Sequence, residues 1–146
     1  MQNNDLKISL FQPDLTWEDP EKNIANLENR IDEFSDSDLL ICTEMFTTGF
    51  SMNVEENAEK HPGKSFEKIR AIAKKSETAI VLSMMVEEDG KYFNRLYFIY
   101  PNATYKQYDK KHLFTMGEEH KHYSAGNERL VVDYKGWKIL SLICYD

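Results

Sequence analysis

Two cysteines, Cys42 and Cys144, are too few for a disulfide framework, and a reducing compartment keeps both as thiols. No apolar run approaches membrane-spanning length, and the start Met1-Gln2-Asn3-Asn4-Asp5 lacks the basic end and apolar core of a secretory signal. A cytosolic protein is expected, in which Asn102-Ala103-Thr104 is a turn and not a glycosylation acceptor. Basic charge is also short: 18 Lys and Arg face 25 Asp and Glu, a formal net charge of −7 that repels polyanions and leaves no basic stripe to neutralise phosphates. Neither nucleic acid nor membrane is therefore expected as a partner. Low-complexity segments, internal repeats and linkers are absent too, so the 146 residues, 41% of them hydrophobic, are expected to form a single packed domain over 1–146.

What is present is a succession of strand and helix signals. Leu6, Ile8 and Leu10 alternate with Lys7 and Ser9, which predicts a strand over residues 6–12 that Pro13 ends. Asp19 ahead of Pro20, with Ile24, Leu27, Ile31 and Phe34 on one face, predicts a capped helix over residues 20–34. Leu39-Leu40-Ile41-Cys42 is apolar throughout, as in a strand covered on both faces. Residues 45–63 show no clean period and carry Gly49, Pro62 and Gly63, the mark of a long irregular loop. Phe66, Ile69, Ile72 and Ala73 then outline a second amphipathic helix. Residues 79–86 and 92–100 flank the turn signal Glu88-Asp89-Gly90-Lys91, which predicts a hairpin. An exposed or edge strand over 104–110 follows, then an irregular stretch over 111–128, then a second hairpin of 130–134 with 137–143 around Lys135-Gly136. Strands this apolar pack on two layers, and the chain stops with part of that cover outstanding.

Three of the apolar runs deliver reactive groups at their carboxyl ends: Glu44 after 39–42, Lys110 after 104–109, and Cys144 after 139–143. A thiol attacks a carbonyl or nitrile carbon as thiolate, so it needs a base and a nearby cation. A carboxylate that takes the proton and an ammonium that steadies the oxyanion make a self-consistent set with Cys144. On chemistry alone, charged residues at strand ends also occur simply where a chain emerges into solvent.

The motifs resolve that ambiguity. Glu44-Met45-Phe46-Thr47-Thr48-Gly49-Phe50-Ser51-Met52, Tyr108-Asp109-Lys110-Lys111-His112-Leu113-Phe114 and Ile143-Cys144-Tyr145-Asp146 resemble, in order, the three catalytic motifs of the nitrilase (carbon-nitrogen hydrolase) superfamily. Asn94-Arg95 after a Tyr-Phe pair, and Glu119-His120 leading to Tyr123 and Gly126, resemble its ω-amidase branch. The resemblance covers almost the whole chain. It implies an α/β fold, an α-β-β-α sandwich of which the chain holds the amino-terminal half to two-thirds, and a mechanism that requires no cofactor and no metal. It further implies Glu44 as general base, Lys110 as stabilising cation, Cys144 as the nucleophile that forms a thioester, and Glu119, with Glu118 its rival, as the second glutamate. Phe46 and Phe50, in the loop after Glu44, are expected to shape the substrate pocket. Thr43 stands where the family usually has proline, a small backbone change. The implied reaction is hydrolysis of the terminal amide of a small ω-amido oxo-acid such as 2-oxoglutaramate, by an expected homo-oligomer whose partner is the small-molecule amide.

Other readings compete. A nitrilase or N-carbamoyl hydrolase would use the same three groups, and an inactive binding or assembly module would keep the scaffold without the reaction. His112, His120 and His122 with Glu118 and Glu119 could suggest a metal site, but the stretch lacks strand alternation, and such histidines more often hydrogen-bond or line a pocket. Cys42 is the rival thiol, and its apolar neighbours mark it as buried and inert. In the complete protein Cys144→Ala or Cys144→Ser is expected to abolish turnover, while Cys42→Ala retains at least about a tenth of it. Parallel steady-state assays separate the two, and equal losses would overturn Cys144 as nucleophile.

Overall fold

The computed structural model describes residues 5–146. The amino-terminal segment over 1–4, read above as no secretory signal, lies outside the described residues. The chain runs β1 (Ile8–Phe11), α1 (Pro20–Arg30), a 3-10 turn (Ile31–Phe34), β2 (Leu39–Cys42), α2 (Val54–Asn57), β3 (Glu59–Lys60) and α3 (Lys64–Ser76). Then follow β4 (Ala79–Glu88), β5 (Lys91–Ile99), β6 (Tyr105–Asp109), α4 (Glu119–His122), β7 (Leu130–Tyr134) and β8 (Trp137–Ser141).

Local chemistry sets these boundaries. At the start of α1 the Asp19 side chain accepts from the Lys22 backbone N–H at 3.0 Å, with Pro20 filling a position whose own N–H would have no helical partner. The helical face expected to reach Phe34 does so, but from Ile31 the winding tightens to 3-10. The β4–β5 turn places Asp89 at φ 52° and Gly90 at φ 72°, and the β7–β8 turn places Lys135 at φ 48° and Gly136 at φ 84°. Two successive positive φ angles match the twist of a two-residue hairpin. The segment read as one irregular loop over 45–63 contains the short α2 and β3; their lengths are below what hydrophobic period can reveal.

The main sheet has the order β1-β2-β4-β5-β6, with β3 alongside β4. Helical crossovers make β1, β2 and β4 parallel, and tight connections make β5 and β6 antiparallel to their neighbours. Side chains alternate between two cores. Leu40, Ile80, Leu82, Tyr97 and Ile99 face Ile24 and Leu27 of α1 and Phe66, Ile69 and Ile72 of α3. Leu39, Val81, Leu96 and Phe98 face Val132 and Tyr134 of β7, together with Ile143. Helices, main sheet and the β7–β8 hairpin are thus three successive layers of the α-β-β-α sandwich. The 39–42 run is apolar throughout because β2 is covered on both sides.

The last run behaves differently from its composition. β8 stops at Ser141, and Leu140 and Leu142 are about half exposed, at 51% and 52%. A two-stranded layer buries one face on the main sheet, and among the described residues no helix covers the other. No helix among them is long and apolar enough to cross a membrane. Leu27 is fully buried between helix and sheet, so Leu27→Ala is expected to cost about 2–5 kcal/mol of stability, measured by denaturant unfolding.

Candidate active site

Strand direction brings the reactive groups to one end of the main sheet. β2 points its carboxyl end there and hands on to Glu44, and β6, parallel in direction to β4, hands on to Lys110 at the same edge. β5 enters from that edge, so Asn94 lies next to Met85 of β4, and the Lys110 backbone N–H donates to the Asn94 carbonyl at 3.0 Å. Asn94 shares a face with Leu96 and Phe98, the face turned toward the β7–β8 layer. On the opposite face, Arg95 grips Asp109 through two hydrogen bonds of 2.6 and 2.9 Å and fixes the β5–β6 register beside the site.

Lys110 is almost completely buried, and its ammonium donates to Glu44 Oε1 at 2.7 Å and pairs with Glu119 Oε2 at 3.0 Å. Burial works against the charged form, but the hydrogen bonds and charges of Glu44 and Glu119 outweigh it, leaving the lysine pKa above its ordinary value. Asn94 Nδ2 donates to Glu44 Oε1 at 2.8 Å and to Glu119 Oε1 at 3.1 Å, so one amide joins both acids. Glu119 is itself fully buried, and its Oε2 accepts from the Phe114 backbone N–H at 2.6 Å. Glu118 turns outward to Lys121 and takes no part.

Cys144 follows β8 by three residues, in a turn where its backbone adopts φ 45°. A left-handed conformation at a non-glycine residue is strained and holds a side chain out at a sharp corner. Its thiol is exposed, and with Glu44 it borders a cavity of about 160 Å³ between Ile41, Val81 and Leu96 on one side and Leu142 and Ile143 on the other. Partial burial first, then the Glu44 charge, push the Cys144 pKa above the ordinary cysteine value against the opposing pull of Lys110. The three groups are therefore electrostatic neighbours. Cys42, by contrast, is buried in the helix-side core, where desolvation holds its thiol protonated.

The two phenylalanines part company. Phe50 lies with its ring centroid 5.5 Å from the Lys110 ammonium. Phe46 corrects the expectation of a pocket residue: it is fully buried in the helix-side core, 5.8 Å from the Phe11 ring, its backbone N–H bonded to the Ser83 carbonyl. The chain turns just after Glu44 and re-enters the core, a change of direction that sequence position does not show. The histidines do not converge either: His112 hydrogen-bonds Asp146, while His120 and His122 lie in α4. Among the described residues no group of three or more His, Cys, Asp or Glu side chains is placed to hold a metal ion.

Two polar residues, Asn94 and Asp146, were part of the motifs read from the sequence but were given no role in the site. Asn94 carries a signal in retrospect, an amide on the strand face it shares with Leu96 and Phe98. Asp146 carries none beyond its place in the last motif.

The family model described as Carbon-nitrogen hydrolase matches residues 7–146. Among curated proteins, the chain is similar to "Omega-amidase YafV" of Yersinia enterocolitica, 37% identical over 141 residues that make up 97% of this chain and 55% of the relative. It is also similar to "2-oxoglutaramate amidase" of Bacillus subtilis, 33% identical over 95% of this chain and 55% of that one. Among solved structures, XC1258 from Xanthomonas campestris, described as a CN-hydrolase superfamily protein with an arsenic adduct in the active site, superposes with a TM-score of 0.92 at 39% identity, over 97% of this chain and 54% of that one. The chain spans about half the length of the curated relatives it matches.

The Lys110 network gives a pH test. A raised lysine pKa contributes stability that is whole below the unfolded value of about 10.4 and is lost as pH climbs through the folded value. Glu119→Gln removes one of the carboxylates that raise it. Because the unfolded chain sets where the decline begins, the variant's unfolding free energy is expected to be lower than the parent's at neutral pH but to fall less above about pH 10, measured by denaturant titrations from about pH 8 to 12.

Proposed function

The chain belongs to the carbon-nitrogen hydrolase family, and from that premise we propose that the protein is an amidohydrolase that cleaves the terminal amide of a small ω-amido oxo-acid of the 2-oxoglutaramate kind. The observation that carries the reading is the buried Lys110 ammonium held between Glu44 and Glu119 beside an exposed Cys144. The substrate class is supported by the names of the relatives, omega-amidase and 2-oxoglutaramate amidase.

The roles follow from charge and proton position. A thiol held above its ordinary pKa is protonated at neutral pH, so attack depends on a base acting at that moment. Glu44 Oε1 is occupied by Lys110 and Asn94, which leaves Oε2 to take the proton as sulfur bonds to the amide carbon. The C=O electrons move onto oxygen, and Lys110 stabilises the resulting oxyanion. As the tetrahedral centre collapses, the C–N bond breaks, Glu44 returns the proton, ammonia leaves, and a Cys144 thioester remains. Water then attacks the thioester with Glu44 again as base, releasing the acid and restoring the thiol. Glu119 does not meet the reacting atoms in this scheme; it holds Lys110 by the second ion pair. Phe50 forms part of the substrate wall. We place the reaction in the cytosol, and assign the exposed apolar residues Val131 and Leu140 on the outer face of β7–β8 to contacts that include self-association.

Glu44→Gln in the complete protein is expected to fold normally and to lose thioester formation by about 10²–10⁴-fold, measured as the pre-steady-state ammonia burst from 2-oxoglutaramate. An unchanged burst would exclude Glu44 as the base. The parent is expected to prefer this amide over nitriles and N-carbamoyl amino acids, and a reversed preference would move the reading to those classes.

A further inference from the structure

One carboxylate joins the lysine loop to the cysteine turn. The Asp146 side chain is about 1% exposed. Its Oδ1 accepts from the backbone N–H of Lys111 at 3.2 Å and of His112 at 2.8 Å, and lies 3.1 Å from His112 Nδ1. Its Oδ2 accepts from the Tyr108 hydroxyl at 2.9 Å and from the backbone N–H of Ile143 at 3.0 Å. Tyr108 is the penultimate residue of β6, and Lys111 and His112 follow Lys110, while Ile143 precedes Cys144. The turn is closed from the other side as well, since the Asp146 backbone N–H donates to the Ile143 carbonyl at 3.0 Å.

We propose that Asp146 is a positioning residue that sets the Cys144 sulfur against the Glu44–Lys110 pair by bridging the two loops that carry them. The inference rests on the amidohydrolase reading for the reaction it serves. Cys144 and Lys110 come from different layers of the fold. The β7–β8 layer approaches the main sheet through apolar contacts, which hold a distance but not a register, and its polar contacts from Tyr134 and Lys135 to Asp38 lie at the opposite end of the sheet from the cysteine turn. Directional hydrogen bonds to a buried carboxylate supply the register. Those contacts also satisfy all of the carboxylate's needs, and they hold the Asp146 pKa below its ordinary value despite burial. Asp146 touches neither the thiol nor Lys110 Nζ and acts only through the backbone on each side.

Asp146→Asn separates its two halves. The amide oxygen can still accept from Lys111 and His112, but its NH2 group meets the Ile143 N–H donor to donor, so the tie to the cysteine turn is lost. In the full-length protein, single-turnover acylation by 2-oxoglutaramate is expected to fall about tenfold in Asp146→Asn and about a hundredfold in Asp146→Ala, with KM within about threefold of the parent. Site-resolved alkylation of Cys144 by iodoacetamide across pH gives a readout that needs no substrate. As the thiol swings away from Glu44, its apparent pKa in Asp146→Asn is expected to move down toward an ordinary cysteine by about half a pH unit or more. Should Asp146→Asn melt below the assay temperature, Tyr108→Phe, which removes a single donor to the same carboxylate, is expected to shift the alkylation profile in the same direction. A folded Asp146→Asn, or in its place Tyr108→Phe, with an unchanged alkylation profile overturns the proposal, as does a loss of activity carried by KM. A parent that releases no ammonia from any amide defeats the amidohydrolase reading, while the alkylation comparison still decides the role of Asp146.

Discussion

The structure depends on keeping one ammonium dry. Moving Lys110 from water into the protein costs several kcal/mol unless charge returns it, and the return comes from two glutamates that are far apart in the chain and meet only when β2, β4, β5 and β6 line up in that order. Glu44 arrives from the parallel half of the sheet, Glu119 from a short turn after β6, and Asn94 from the middle of the antiparallel half. None of the four can be satisfied elsewhere in the fold, so the pairing of strands and the pairing of charges specify the same arrangement. Removing one partner leaves the buried ammonium with less compensating charge.

A division of labour follows from the layers. The helix-side core is apolar and continuous, and it holds the main sheet rigid; Phe46, Cys42 and Leu82 belong to it. In the proposed reaction the other side carries the chemistry, because there the sheet meets a hairpin that ends in the cysteine turn. Reaction geometry is thus a question of how two layers are aligned, and the polar bridges across their junction matter more to it than the bulk of either core.

Much of this was legible in the residues. Alternation and cap residues located β1, α1, β2, α3 and both hairpins, since each is long enough or sharply enough punctuated for its period to show. The three motifs pointed to Glu44, Lys110 and Cys144; in the structure Lys110 pairs with Glu44, and Glu44 and Cys144 border one cavity. Legibility failed where a side chain's environment depends on chain direction after a turn. Phe46 reads like Phe50 in sequence, yet a bend at Met45 sends one ring into the core and leaves the other over Lys110. The choice between Glu118 and Glu119 could not be made from neighbours in sequence, because it depends on which residue the α4 turn points inward. Asn94 and Asp146 act through partners that folding alone brings near. The run after Trp137 looked like a strand destined for a closed interior, but its composition could not say how many layers the described chain would place around it.

The resting state of Cys144 has a consequence for durability. Peroxides and other oxidants attack thiolates far faster than thiols, and a nucleophile kept permanently ionised on an open surface would be consumed between turnovers. On the proposed mechanism, a sulfur that keeps its proton until Glu44 removes it during attack would spend little time in the vulnerable form. On that reading a single residue reconciles chemical longevity with catalytic readiness.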